Sequence, residues 1–264
     1  MADYEGDVVT PYDQDLGPVL FDHYGADTAK RVAERSVRDV LEIAAGTGIV
    51  TRHLRDVLPK DARLTAIDIS DSMMEAARKK FHPHEQVTFQ VADATALPFD
   101  DKEFDTVVCQ FGVMFFDKEA GFREAYRTLK RGGRYLFRVW DSEHYNPYAS
   151  LTFEVLKQFY PSNTPRFLFD TVACHQIDPI KEKLIRTGFD RIVVSVHRKE
   201  HDILDVEAFA RALVYTPIIA EIKARGGVDP EEITEALTKV LIREYGSNPT
   251  RYPMQAILFE AEKP

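Results

Sequence analysis

The chain has 264 residues, of which 44% are hydrophobic, and its 34 Lys and Arg against 43 Asp and Glu give a formal net charge of −9. These proportions belong to an ordinary folded globular protein and exclude collagen-like, low-complexity and wholly disordered chains. The acidic balance argues against a broad surface for nucleic acid.

Met1 to Asp7 has neither the basic nor the apolar stretch of a secretory leader. The longest apolar run, Val107 to Phe116, is interrupted by Gln110 and is about half the ~20 residues a membrane-crossing helix needs. Two cysteines, Cys109 and Cys174, form no CxxC pair and are too few for a disulfide framework, so the expected compartment is the cytoplasm.

From Val37 onward, short β-branched runs alternate with longer helical patterns, as in βαβ crossovers around a mostly parallel, doubly wound sheet. The expected strands are Val37 to Ile43, Arg63 to Ile67, Val87 to Val91, Phe104 to Phe111 and Arg134 to Trp140. Between them lie expected helices over Ile49 to Leu58, Ser70 to Phe81 and Asp117 to Leu129, the last capped by Asp117. Further on, helices are expected over Pro147 to Tyr160, Pro179 to Thr187, Asp205 to Ala224 and Pro230 to Glu244, with Asp229 capping the last and Gly226-Gly227 at the joint before it. Gly188 closes the second of these, and strands follow over Ile192 to Val196 and Met254 to Glu262.

The chemistry concentrates at strand ends. Val40 to Ile43 is an apolar strand except for Glu42, and it runs into the small-residue loop Ala44-Ala45-Gly46-Thr47-Gly48 before a helix. Glycines there let backbone approach a ligand closely, or simply pack a strand against a helix. Asp68, 20 residues beyond Gly48, ends the second strand, where a carboxylate accepts the hydroxyl hydrogens of a ribose. Nicotinamide dinucleotide sites share that spacing, but their third glycine is replaced here by Thr51. Glu42 would repel a pyrophosphate and attract an ammonium. A nucleoside joined to an amino acid suits both acids.

These residues resemble a class I S-adenosylmethionine-dependent methyltransferase, of the group that includes the ubiquinone and menaquinone biosynthesis methyltransferases. Glu42-Ile43-Ala44-Ala45-Gly46-Thr47-Gly48 resembles the family's first motif and Ala66-Ile67-Asp68-Ile69-Ser70-Asp71-Ser72-Met73 its second. Val91-Ala92-Asp93-Ala94 with Leu97-Pro98-Phe99, and then Phe104-Asp105-Thr106-Val107-Val108, resemble the third and fourth. Leu129 to Arg134 looks like the turn into the fifth strand. The resemblance covers about Val37 to Trp140.

The resemblance implies a Rossmann-like α/β fold with a seven-stranded sheet and a reversed last strand. It divides the chain into an N-terminal helical lid over 1–36, a cofactor-binding core over 37–204, a helical insertion over 205–248 and the last strand over 249–264. It further implies that Glu42 faces the methionine ammonium, Gly46 and Gly48 admit backbone beside the cofactor, Asp68 holds the ribose, and Ile69 and Met73 lie against adenine. Asp93 and the Ala94 amide would meet the adenine edge, and Gln110 the methionine portion.

The acceptor is expected to be a small organic molecule methylated at oxygen or carbon. Phe111, Phe115 and Trp140 are candidate walls for it, as are Tyr12 and Tyr24 from the N-terminal segment. His144, just beyond the fifth strand, is the candidate general base, with Tyr12, His23 and Tyr24 as rivals. His82-His84 and His197 with His201 have no third ligand near in sequence, so no metal is expected. Two other classes stay open: a protein that binds the cofactor without catalysis, and a nicotinamide oxidoreductase.

Overall fold

The structure is a computed structural model that describes residues 8–264. Residues 1–7 of the expected lid lie outside it. Its strands are β1 (Asp39–Ile43), β2 (Arg63–Asp68), β3 (Val87–Val91), β4 (Phe104–Gln110), β5 (Leu129–Trp140), β6 (Asp190–Ile203) and β7 (Thr250–Glu262). They form one sheet in the order β3-β2-β1-β4-β5-β7-β6.

Adjacent pairs from β3 through β5 are parallel. Lys263, just past β7, exchanges backbone hydrogen bonds with Gly132 and Gly133, whereas Gln255 pairs with Asp141 at the other end of β5. The last strand is therefore reversed, as the family resemblance implies.

The helices, in chain order, are α1 (Val9–Pro11), α2 (Gly17–Leu20), α3 (Asp22–Ala33), α4 (Ile49–Val57), α5 (Asp71–Arg78), α6 (Lys118–Thr128) and α7 (Pro147–Phe159), then α8 (Phe167–Thr171), α9 (Ile177–Thr187), α10 (Val206–Val214), α11 (Ile218–Arg225) and α12 (Pro230–Tyr245). A π-helical turn, Tyr12–Leu16, joins the first two. None of the helices among the described residues is long and apolar enough to cross a membrane.

The chain divides into two compact units, one comprising residues up to Leu20 with Trp140–His175 and His197–Ala256, the other Phe21–Val139, Gln176–Val196 and Ile257–Pro264. Residues 22–33 belong with the parallel strands because Ala29 and Val32 of α3 and Val50 and Leu54 of α4 pack together over Val40, Val108 and Leu136 of β1, β4 and β5. The capping expectations hold, as Asp117 accepts from the Ala120 amide at 2.8 Å and Asp229 from the Glu231 amide at 3.0 Å; Ser70 likewise caps α5, accepting from the Met73 amide at 3.3 Å. Gly188 closes α9 at φ 110°.

At the amino ends of the strands, Asp105 Oδ2 accepts from the amides of Arg38 and Asp39 at 2.8 and 2.9 Å, and Lys130 bridges Asp105 and Asp39. Burial pushes the Asp105 carboxyl up, but Lys130 and the two amides outweigh it and hold the group below its ordinary range. Leu97-Pro98-Phe99 is tied down by Arg127, which donates to the carbonyls of Leu97 and Phe99 at 3.0 and 2.7 Å.

The other unit is mainly helical. α10 packs on α12 and on the turn Tyr12–Leu16, while α7 packs on α12 and α8. Asn146 fastens the start of α7 to β7 by donating to the Gln255 carbonyl at 2.9 Å and accepting its amide at 3.0 Å.

Several boundaries move for physical reasons. β5 starts at Leu129 instead of Arg134, because the expected turn is an irregularity inside the strand: Phe104 pairs with Leu129 but Thr106 with Arg134, and Gly132 takes φ 76° in the extra length. β4 stops at Gln110 because Phe111 leaves extended geometry at φ 57°. The helix expected over Asp205 to Ala224 is two, broken where Pro217 withholds a backbone donor. β6 and β7 are longer than their apolar centres suggest.

Candidate functional site

The loop from β1 to α4 is built by three amides. Ala45 donates to the Ile67 carbonyl at 2.9 Å, Gly46 to Asp68 Oδ2 at 2.9 Å, and Gly48 back to the Ala45 carbonyl at 3.0 Å. Gly46 and Gly48 sit at φ 55° and 81°, which explains the residue type at both.

Ala44, also left-handed at φ 56°, lies at the tip of β1, and Phe111 at 57° follows β4. Left-handed non-glycine residues cost free energy and gather at functional edges. Gly112 completes the contact, since a Cβ on it would stand 2.4 Å from that of Ala44.

Glu42 precedes this loop and is 1% exposed. Its Oε2 has no hydrogen-bond partner. Burial pushes its carboxyl up to about 8; the neighbouring Thr51 draws it partly back and Asp68 adds to the rise. Thr51 Oγ1 makes no hydrogen bond of normal geometry, so its influence is that of a nearby dipole. Thr51, where a dinucleotide fingerprint has glycine, is thus buried beside a carboxyl group, an arrangement hostile to pyrophosphate.

Asp68 uses one oxygen on Gly46 and the other on the Ser70 amide at 3.0 Å. Burial raises its carboxyl from the ordinary range, opposed by the amides of Ser70, Gly46 and Ile69. The acid therefore shapes the loop, and each oxygen keeps a lone pair for a further donor.

Asp93 is exposed past the end of β3, where Oδ1 accepts the Thr95 amide at 2.8 Å and hydroxyl at 2.7 Å. Ala94 is half-buried in the same turn. Ile69 is 45% exposed, whereas Met73 is buried on the inner face of α5 and fills protein.

Gln110 ends β4, buried, with its Nε2 unpartnered. Its Oε1 accepts the Thr28 hydroxyl at 3.0 Å, and Thr28 Oγ1 accepts Arg138 Nε at 3.0 Å. Arg138 is fully buried, ion-paired with Asp27 and 5.3 Å from the centre of the Tyr24 ring. Tyr24 in turn meets Phe111 edge-on at 5.7 Å, and Phe21 lies 5.6 Å from the same ring. Phe115 is exposed on a short 3₁₀ turn.

The unit with the parallel strands thus gathers Glu42, Gly46, Gly48, Asp68, Ile69, Asp93, Ala94, Gln110, Tyr24, Phe111 and Phe115. Thr28, Asp27 and Arg138 are additions that sequence reasoning missed, while Thr51, noted there only for the glycine it replaces, joins them as a neighbour of Glu42. Arg138 carried a signal, a cation inside the otherwise apolar run Tyr135 to Trp140.

Tyr12, Trp140 and His144 belong to the other unit. Tyr12 begins the π-helical turn, and Trp140 is buried edge-on to Tyr148 at 5.9 Å. His144 is exposed on a turn, its ring 4.7 Å from that of Tyr145 and with no hydrogen bond to orient it. Among the described residues, no three His, Cys, Asp or Glu side chains gather as metal ligands.

A family model described as a methyltransferase domain matches residues 40–133. The ubiquinone/menaquinone biosynthesis C-methyltransferase UbiE of Enterobacter sp. (strain 638) is 30% identical over 186 residues, which span 62% of this chain and 74% of the relative. Its namesake from Pasteurella multocida (strain Pm70) is 28% identical over 186 residues, spanning 62% of this chain and 69% of the relative. Among solved structures, phosphoethanolamine N-methyltransferase 2 of Haemonchus contortus, in complex with phosphomonomethylethanolamine and S-adenosylhomocysteine, superposes with a TM-score of 0.61 at 18% identity. That match covers 99% of this chain and 59% of the other.

Proposed function

Because this chain belongs to the class I S-adenosylmethionine-dependent methyltransferases, we propose that it methylates a small organic acceptor at oxygen or carbon. The observation that carries the reading is Glu42, a buried carboxyl whose Oε2 finds no partner in the protein. A buried polar atom of this kind calls for a ligand group, and the ammonium of an amino-acid tail supplies both the charge and the donors.

The other residues fit the same cofactor. Asp68, already oriented by two amides, has lone pairs for the ribose hydroxyls. Asp93 Oδ2, which accepts nothing from the protein, suits the adenine amine, with the Ala94 amide beside it. Ile69, exposed where Met73 is not, offers the apolar contact to the ring.

When bound, S-adenosylmethionine supplies an electrophilic methyl carbon, whose in-line transfer depends on positioning and exclusion of water more than on acid–base help. The chain positions through Glu42, Asp68 and the tight loop. It excludes water through Phe111, which Tyr24 and Phe21 hold in place. His144 has no orienting hydrogen bond, and an acceptor that surrenders its proton readily, such as an acidic phenol or an activated ring carbon, needs no dedicated base.

The naming of the relatives as C-methyltransferases supports the carbon alternative. The net charge of −9 favours an acceptor without a polyphosphate backbone. Neither Cys109 nor Cys174 is in a disulfide among the described residues, in keeping with a reducing cytoplasm as the place of the reaction.

Incubation of the protein with tritiated S-adenosylmethionine and a fractionated cell extract tests the reading. Label should appear in the organic-extractable small-molecule fraction. Label confined to protein or nucleic acid, or label nowhere while the cofactor still binds, overturns it.

A further inference from the structure

Gln110, at the carboxyl end of β4, is a neutral side chain that is buried and half-satisfied. The direction of its hydrogen bonding follows from chemistry. Arg138 Nε only donates, so Thr28 Oγ1 accepts it, and the single Thr28 proton is left for Gln110 Oε1. The opposite flip of the amide would leave the Thr28 proton unused and Oε1 unpaired. The unpartnered atom is therefore a pair of N–H donors, enclosed by protein and in need of an acceptor.

The sheet register says what lies beside those donors. Glu42 pairs with Val108 across β1 and β4, and Gln110 pairs with Arg138 across β4 and β5. Residues two apart on a strand share a face, so Glu42, Gln110 and Arg138 point to the same side, with Gln110 one strand across from Glu42 and two residues nearer the carboxyl edge. An acceptor oxygen on Glu42 and donors on Gln110 are the complement of a zwitterion, whose ammonium and carboxylate share one carbon. Arg138, fully buried, adds positive potential on the carboxylate side while Asp27 keeps it paired.

We propose that Thr28, held by the Arg138–Asp27 pair, is a positioning residue that fixes the Gln110 carboxamide with its N–H donors toward the α-carboxylate of the cofactor. This rests on the methyltransferase reading and extends it, in that the N-terminal helix α3 sets the selectivity of the site for the carboxylate through a side chain it does not itself carry. Thr28 touches no ligand; Gln110 does.

Calorimetric titration with S-adenosylmethionine and with its decarboxylated analogue, which keeps the ammonium, sulfonium and nucleoside, isolates the carboxylate. The unaltered protein should prefer S-adenosylmethionine by about tenfold or more, the worth of one hydrogen bond to a charged group. Thr28→Val and Gln110→Leu should each abolish most of that preference while the analogue binds as before, which also shows that the variant is folded. Thr28→Ser should restore the preference.

A preference unchanged in both variants overturns the proposal. So does equal weakening of both ligands, which marks a merely structural role. An unaltered protein that binds neither compound would instead refute the cofactor reading itself, and the two failures are distinct.

Discussion

The amide of Gly46 donates to the carboxylate of Asp68 at 2.9 Å, joining the loop after the first strand to the tip of the second. The acid that would hold a ribose is thus also the clamp on the glycine loop, and the two roles share one group.

Replacing it should show both. Asp68→Ala leaves the Gly46 and Ser70 amides without their acceptor, and we expect a stability loss of about 1–3 kcal/mol in urea denaturation. The affinity for S-adenosylhomocysteine should fall at least tenfold by calorimetry. An unaltered affinity would remove Asp68 from the site.

Glu42 makes the free protein sensitive to pH in a defined direction. With its carboxyl pushed up to about 8 from an ordinary 4.5, the folded chain keeps a proton that the unfolded chain has already released. Stability therefore declines as pH rises from about 4.5 toward 8, by an amount on the order of a few kcal/mol. Glu42→Gln should flatten that slope and be the more stable chain at pH 8, as read from denaturation midpoints at pH 5 and pH 8.

The same group links binding to protons. An ammonium beside Glu42 favours the carboxylate, so titration with S-adenosylhomocysteine at pH 7 should release a proton, seen as a dependence of the measured heat on the ionisation enthalpy of the buffer. Affinity should rise with pH up to about 8, and both effects should vanish in Glu42→Gln.

Gly112 is constrained by contact alone. A methyl group there would meet Ala44 Cβ at 2.4 Å and Cys109 Sγ at 2.8 Å, and both neighbours belong to strand tips that have little room to shift. Gly112→Ala should cost about 3 kcal/mol or more in denaturant unfolding and weaken cofactor binding through displacement of Ala44.

Asp105 provides the contrast. It belongs to a stretch with the look of a family motif, yet its carboxylate serves the amides of Arg38 and Asp39 and the Lys130 ammonium at the amino ends of the strands. Asp105→Ala should lower stability by about 1–3 kcal/mol and leave the S-adenosylhomocysteine affinity unchanged.

Much of the parallel sheet was legible because its signals are local. Glycines with positive φ, caps such as Asp117 and Asp229, and β-branched runs of five or six residues each act within a turn or a strand. The acids at strand ends, Glu42 and Asp68, were legible for the same reason.

What escaped was non-local. The chain from Asp27 through Arg138 and Thr28 to Gln110 joins residues about 80 to 110 positions apart. No periodicity announces it; it exists only because β5 lies beside β4 and α3 covers both. The irregularity at Gly132 and the break at Pro217 were hidden differently, since three extra residues in a strand or one withheld amide in a long helical pattern scarcely alter composition. Met73 and Ile69, equal as apolar residues, differ because Met73 lies on the buried face of α5 whereas Ile69 lies in the turn before that helix.

The ionic knot of Asp39, Arg63, Asp105 and Lys130 fastens the rim of the sheet remote from Glu42, Asp68 and Gln110. Anchorage and the proposed recognition are thereby assigned to opposite margins of the same strands. Descendants of this chain, natural or engineered, can exchange side chains around the methyl acceptor and so change clientele without loosening the fastening that keeps the strands in register.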